Sequence, residues 1–326
     1  MIITRTPVRI SIGGGGTDLP SYYERFGGFV VAAAISQYIY VGINRMFSPG
    51  YLLKYSNLEK CETVDQIQHP IFREALRRHN GDGSVEIASL ADVPAGTGLG
   101  SSGAFTVGLL RALYAHKREH VAPDDIAAEA CDIEIRTLRQ AVGKQDQYIA
   151  AIGGLTCFEF HEDGSVRHER LNVSDDTLRD LETNLVMYFT GYVHNAADVL
   201  NDQKRRSLDG DSIMIGNLHY TKQLGLSARE ALERGQTRRY AELLNEHWLH
   251  KRARSQGMTN PHIDRWYSVA RENGALGGKL VGAGGGGFLL FYAEDPIRLR
   301  RALTAEGLSE MNFRFDHDGS RVLVRD

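Results

Sequence analysis

The segment Pro94-Ala95-Gly96-Thr97-Gly98-Leu99-Gly100-Ser101-Ser102-Gly103-Ala104, running straight into the apolar helical pattern Phe105 to Tyr114, constrains this chain most. Glycines let a backbone come close to an anion and turn its N–H groups inward, and a helix start adds unpaired donors and the positive end of its dipole. The segment reads as a phosphate cradle, with Pro94, Gly96, Gly98, Leu99, Gly100, Ser101, Ser102, Gly103 and Ala104 as candidate nucleotide contacts. The hydroxyls of Ser101 and Ser102 can ligate the magnesium ion that accompanies a nucleoside triphosphate, and the sequence does not choose between them. No lysine stands beside Ser101, which excludes a Walker A loop. Gly98 to Gly103 fits G-x-G-x-x-G as a string, but the position about twenty residues on holds only Glu119, inside a charged turn, a weak match to a dinucleotide site. A plain turn from the strand at 84–90 to the next helix is the structural alternative.

Two further glycine clusters weaken that alternative. Pro7-Val8-Arg9-Ile10-Ser11-Ile12-Gly13-Gly14-Gly15-Gly16-Thr17-Asp18 stands near the start and Gly278-Lys279-Leu280-Val281-Gly282-Ala283-Gly284-Gly285-Gly286-Gly287-Phe288 near the end, each after a short β-type run. Each would lose backbone entropy on folding if it served no purpose, so three loops converging on one polyanionic substrate is the economical reading.

These three segments resemble the signature motifs of the GHMP kinases, the family of galactokinase, homoserine kinase, mevalonate kinase and phosphomevalonate kinase. The resemblance spans nearly the whole chain. Pro-x-x-x-Gly-Leu-Gly-Ser-Ser-x-Ala, from Pro94, is the central motif, and Lys279 to Gly287 is similar to the third motif of mevalonate kinases. The stretch from Arg5 to Tyr23 is similar to a narrower branch, the D-glycero-D-manno-heptose 7-phosphate kinases. The resemblance implies a two-domain α+β fold: a ribosomal protein S5 domain 2-like, ATP-binding N-terminal domain over 1–178 and a ferredoxin-like C-terminal domain over 179–326. It also implies ATP and Mg2+ as cofactors. Within the branch, the reaction implied is transfer of the γ-phosphoryl group to the anomeric hydroxyl of the heptose 7-phosphate, giving the 1,7-bisphosphate.

Asp146 falls where galactokinases and mevalonate kinases keep the aspartate that faces the substrate hydroxyl, where it would accept the proton or orient the attacking oxygen. Alone, it would read as a cap or turn residue. Glu134 corresponds to the family's magnesium-binding glutamate; without the resemblance it is a surface charge beside an Asp132–Arg136 pair. Arg9 occupies the place of a family arginine or lysine close to the reacting hydroxyl, where a fixed cation would stabilise the Asp146 carboxylate and offset charge as the phosphoryl group moves. On pattern alone Arg9 is equally an outward strand residue.

Galactokinases read Gly-Glu-His-Thr-Asp where this chain reads Gly14-Gly15-Gly16-Thr17-Asp18. Asp18 is left to grip a sugar hydroxyl, and the missing side chains leave room for a longer sugar phosphate. Gly14, Gly15, Gly16, Thr17 and Asp18, with Gly284, Gly285 and Gly286 of the third loop, are the expected substrate contacts. A second phosphate would need cations, for which Arg25, Lys54, Lys144, Lys251 and Arg252 are available and no spacing selects. A fucose- or galactose-type anomeric kinase, and a catalytically silent sugar or nucleotide sensor of the same fold, stay open.

At 326 residues, 42% hydrophobic and 24% charged, the chain can build two units. A net charge of −3 without a basic block argues against a nucleic-acid partner and leaves a small-molecule sugar phosphate. The window Phe29 to Ile43 contains Ser36, Gln37 and Gly42, so two strands are expected there and no membrane span. Arg5 and Arg9 interrupt any signal-peptide core, and Cys61, Cys131 and Cys157 are scattered and odd in number, so a reduced cytoplasm is expected. A homodimer through sheet edges is left open. Patterning predicts helices at Ser102–His116, Pro123–Gln140, Asn195–Arg206, Ile213–Arg234, Thr237–Arg254 and Pro261–Asn273, a polar link at Asn172–Asp180, and a closing strand pair.

Overall fold

The computed structural model describes the chain except residues 80–82, 193–195, 256 and 326, and only the backbone at 196 and 197. Its first part carries strands Ile2–Gly13 (β1), Gly28–Arg45 (β2), Gly50–Lys54 (β3), Leu58–Cys61 (β4), Ser84–Ala91 (β5), Leu155–Phe160 (β6) and Val166–Arg170 (β7). Helices Pro20–Phe26 (α1), Pro70–Arg78 (α2), Ser101–His116 (α3), Pro123–Cys131 (α4), Gln145–Ile152 (α5) and Asp175–Asn184 (α6) accompany them. The second part has strands Leu185–Phe189 (β8), Ala275–Leu280 (β9), Phe288–Ala293 (β10), Ser309–Glu310 (β11) and Arg321–Arg325 (β12). Its helices are Ala196–Leu208 (α7), Ser212–Glu233 (α8), Thr237–Arg252 (α9), Pro261–Glu272 (α10) and Pro296–Ala305 (α11).

The first sheet runs β12-β1-β2-β5-β3-β4, with β6 joined to β2 and β7 to β6. β2 is long enough to serve two neighbours on one side: residues 28–33 pair with β6 and residues 39–45 with β5. The two strands expected between Phe29 and Ile43 are one continuous strand, β2, and β1 is likewise continuous, a register shift at Pro7/Val8 absorbing the donor that proline lacks. Val8, Ile10 and Ile12 of β1 lie in the core, against which α3 and α5 pack, while Arg9 and Ser11 alternate into a cleft.

The second sheet is antiparallel, β11-β8-β10-β9, the crossing order of a ferredoxin-like unit, so the two-domain α+β architecture is as expected. Three local expectations change. The final strands do not close the chain as a pair: β11 joins β8, while β12 returns to β1 in the first sheet. The polar link contains α6, whose Ser174 accepts from Thr177 N–H at 3.2 Å and whose first turn carries Asp175 and Asp176. The long helix from Pro123 gives way at residues 132–137 to π-helical geometry, with Leu138 N–H donating to the Ile133 carbonyl at 2.9 Å. The predicted start of the next helix, Asn195, lies outside the described residues.

Candidate active site

Gly96, Gly98 and Gly100 hold φ at 75°, 80° and 74°, left-handed positions of which the last is the residue capping α3. The third glycine cluster buttresses this loop from behind. A Cβ on Gly282 would come within 2.6 Å of the Gly98 carbonyl oxygen, and one on Gly98 within 2.8 Å of that of Val281. Gly284 and Gly286 press on Met258 and Tyr192, and Gly285 N–H donates to the Met258 carbonyl at 3.0 Å. The third cluster reaches the cleft through Gly282 and Ala283; Gly284, Gly285 and Gly286 stand outside its lining.

Asp146 stands in the first turn of α5, rather than in a loop, and lies against Gly100 and Gly103. Arg9 Nε and a terminal nitrogen both donate to Asp146 Oδ1 at 2.7 Å, and another Arg9 nitrogen donates to the Gly98 carbonyl at 2.6 Å. Arg9 N–H also donates to the Leu99 carbonyl at 3.0 Å. With Arg9 only 6% exposed, one buried guanidinium joins the first strand, the phosphate loop and the carboxylate.

The π segment turns Glu134 fully inward, so it is not the surface charge its neighbours Asp132 and Arg136 form between themselves. Ser102 Oγ donates to Glu134 Oε1 at 2.6 Å and Gln147 Nε2 to Glu134 Oε2 at 2.7 Å. Burial pushes the Glu134 carboxyl up to about 7 against these two hydrogen bonds. Ser102, not Ser101, makes this contact with Glu134.

The first glycine loop divides its work. Thr17 Oγ1 donates to the Gly14 and Phe29 carbonyls and accepts from Phe29 N–H, so Thr17 shapes the turn. Asp18 accepts from Gly16 N–H, Gln145 N–H and Gln145 Nε2 at 3.0 to 3.2 Å, and faces the cleft. Burial, then the Asp146 charge, raises its carboxyl above the usual range. Gly15 and Gly16 line the same cleft, and Gly14, at φ 79°, packs on Phe29 and Val30. Across α3, a second groove contains Tyr55, His69, Leu90, Pro94, Gly96 and Ser102. The polar cleft approaches the start of α3 through Asp146, which lies against Gly100 and Gly103, and this more apolar groove reaches it through Ser101 and Ser102.

Family models bear directly on this arrangement: that for the GHMP kinases N terminal domain matches residues 67–154, and that for the GHMP kinases C terminal domain matches 228–308. The chain belongs to the GHMP kinases. Over 98% of this GHMP kinase and 97% of the relative, it is 31% identical to the D-glycero-alpha-D-manno-heptose 7-phosphate kinase of Campylobacter jejuni. It is 26% identical, over 92% of its length and 36% of the relative, to the L-fucokinase/L-fucose-1-P guanylyltransferase of Bacteroides fragilis. The crystal structure of a D-glycero-D-manno-heptose 1-phosphate kinase from Bacteroides thetaiotaomicron superposes with a TM-score of 0.81 at 25% identity, covering 99% of each chain.

Of the cations singled out in the sequence, this GHMP kinase brings Lys251 to the cleft. Lys54 pairs with Glu86, Arg252 with Asp264, Arg25 donates to the Ser207 carbonyl, and Lys144 donates to the Gly164 carbonyl. His247, Arg254 and Lys279 line the cleft instead and were missed. One signal was available: His247, Lys251 and Arg254 recur at i, i+4 and i+7, a single stripe at the end of α9. Among the described residues, no helix is long and apolar enough to cross a membrane.

Proposed function

We propose that this ATP-dependent GHMP kinase phosphorylates the anomeric hydroxyl of D-glycero-D-manno-heptose 7-phosphate, giving the 1,7-bisphosphate. The observation that carries the reading is Asp146, clamped by Arg9 where the polar cleft meets the phosphate loop. The Campylobacter relative is named for this substrate, and the relation covers nearly both chains. Asp146 receives the proton of the attacking hydroxyl, while Arg9, held on Gly98 and Leu99, offsets charge developing beside the loop. Asp18, oriented by Gln145 and Gly16, accepts from a sugar hydroxyl. The nucleotide lies along the apolar groove with its phosphates on Pro94 to Ala104, where the backbone donors of the α3 start point. Transfer between two partly enclosed clefts also keeps water from competing for the phosphoryl group.

Ser102 and Glu134 fit a magnesium ion: both offer hard oxygens, and a buried carboxylate gains from a cation beside it. When bound, magnesium would neutralise charge on the β- and γ-phosphates. Gln147 orients Glu134 through its second oxygen. Ser102→Ala is expected to raise the Mg2+ concentration for half-maximal activity by about 10-fold, and Ser101→Ala by less than about 3-fold. Equal effects in Mg2+ titrations of the two variants would remove Ser102 as the ligand.

The function is tested by coupled ADP release with Mg·ATP on D-glycero-D-manno-heptose 7-phosphate, mannose 6-phosphate, fucose, galactose and mevalonate, followed by phosphorus NMR of the product. Dominant turnover of the heptose phosphate with a new anomeric phosphate is expected. Preference for fucose or galactose would retain the kinase and reject the heptose substrate.

A further inference from the structure

The polar cleft holds more positive charge than its own residues balance. Its lining includes the buried basic groups Arg9, Lys251, Arg254 and Lys279 against the carboxyls of Asp18 and Asp146, a formal excess of two positive charges when all are ionised. Arg9 is committed to Asp146. Lys251 Nζ donates to the Leu280 carbonyl at 2.9 Å and to that of Gly282, which neutralises none of its charge. Arg254 is fixed by neutral oxygens of Asn217, Thr221 and Gln203 at 2.8 to 3.3 Å. The side chains of Lys279, 2% exposed, and His247, 3% exposed, have no hydrogen bond or ion pair among the described residues. The Ser11 hydroxyl in the same lining is also buried without a partner.

Burying an ammonium without an anion is costly, and close cations add repulsion. Both lysines carry that cost: burial first, then neighbouring cations, lowers Lys251 well below its ordinary range and brings Lys279 to about 7. A dianion in the cleft would meet the excess charge, the unpaired Lys279 and the pre-set guanidinium together.

From this geometry we infer that Lys279, with Lys251, Arg254 and His247, is the seat of the substrate's own phosphate and selects a phosphorylated sugar over a bare one. The inference rests on the heptose phosphate reading and adds the residues that enforce it. These groups come from α9, its C-terminal end and β9 of the second unit, while Asp146 and Asp18 come from the first. A substrate with a hydroxyl at one end and a phosphate at the other therefore bridges the units. Carbonyl contacts of Lys251 with Leu280 and Gly282 place the phosphate seat directly behind the loop that buttresses the nucleotide cradle, so the γ-phosphate of ATP is the competing source of the same anion chemistry.

Lys279→Met separates the two sources. The KM for heptose 7-phosphate should rise about 10- to 100-fold, the loss of one charge-assisted contact, with the KM for ATP moving less than about 3-fold. A rise confined to ATP, or no change in either, overturns the inference while heptose phosphate turnover by the unaltered enzyme keeps the functional reading. If the unaltered enzyme ignores heptose 7-phosphate, thermal protection by mannose 6-phosphate or inorganic phosphate without nucleotide decides the cluster alone. Protection that Lys279→Met abolishes upholds the anion seat; no protection rejects it.

Stability gives a second readout. The Lys279 ammonium shares the cleft with the cations Arg9, Lys251 and Arg254, with His247, and with the carboxyls of Asp18 and Asp146. With its native pKa near 7 and its ordinary value at 10.5, the cost of the charge is full below pH 7 and fades as pH rises toward 10.5. Ligand-free Lys279→Met should therefore melt higher than the unaltered protein at pH 6.5, with a smaller gain at pH 9.5. A lower melting temperature at both values would mean that Lys279 is an ordinary packing residue.

Discussion

Asp146→Asn is expected to lower kcat about 1,000-fold with heptose 7-phosphate, while the melting-temperature shift produced by Mg·ATP is kept. Asparagine has the shape of aspartate, so the contacts with Gly100 and Gly103 survive. Arg9 loses its ionic partner yet keeps the Gly98 carbonyl. What disappears is the group that takes the proton of the attacking oxygen and the charge that holds Arg9 across the site. Phosphoryl transfer depends heavily on positioning and electrostatics, so the same substitution probes both roles. A kcat within about tenfold of the unaltered enzyme would reject Asp146 as the base. Adding Arg9→Met to Asp146→Asn should cost much less than Arg9→Met alone, because the two side chains act as one unit.

The second large effect is structural. Gly282→Ala should destabilise the protein by about 2–4 kcal/mol, from positive-φ strain and backbone overlap together. Gly282 sits at φ 81°, and its added methyl would meet the Gly98 Cα and carbonyl oxygen, neither of which can move without distorting the phosphate loop. Thermal unfolding measures the loss, and the KM for ATP should rise in the fraction that remains folded, since Gly98 would be displaced from its left-handed conformation. Gly216→Ala is the control: it lies within α8, an added Cβ meets nothing within 4 Å, and alanine favours the helix. Equal melting temperatures for the two variants would show that the third glycine cluster does not support the second.

Much of this was readable in order along the chain. Gly96 to Ser102 announces a cradle because glycine spacing and a following apolar helix are local properties, and the positive φ angles bear on that same stretch. The sheet-forming runs of β1, β2 and β5 were legible for the same reason, since strand alternation is written residue by residue. Local pattern failed where a distant partner decides the outcome. β2 passes Ser36 and Gln37 as an offset in its register with β1, where Arg314 and Asn312 meet them, and the destination of β12 depends on the open edge of β1, over 300 residues away. The inward turn of Glu134 depends on a π segment whose buried carboxylate is met by Ser102 and Gln147.

The family, the two-unit α+β fold and the position of the phosphate loop are carried by contiguous residues whose backbone preferences and spacing are local. Which charges share a cleft follows from packing between distant segments. Arg9 is one strand residue among many until the fold brings Asp146 and Gly98 to it, and Lys279 is a motif letter until α9 lays Lys251 and His247 beside it. Electrostatic function depends on distance and burial, which residues far apart in the chain acquire only when the two sheets and their helices pack together.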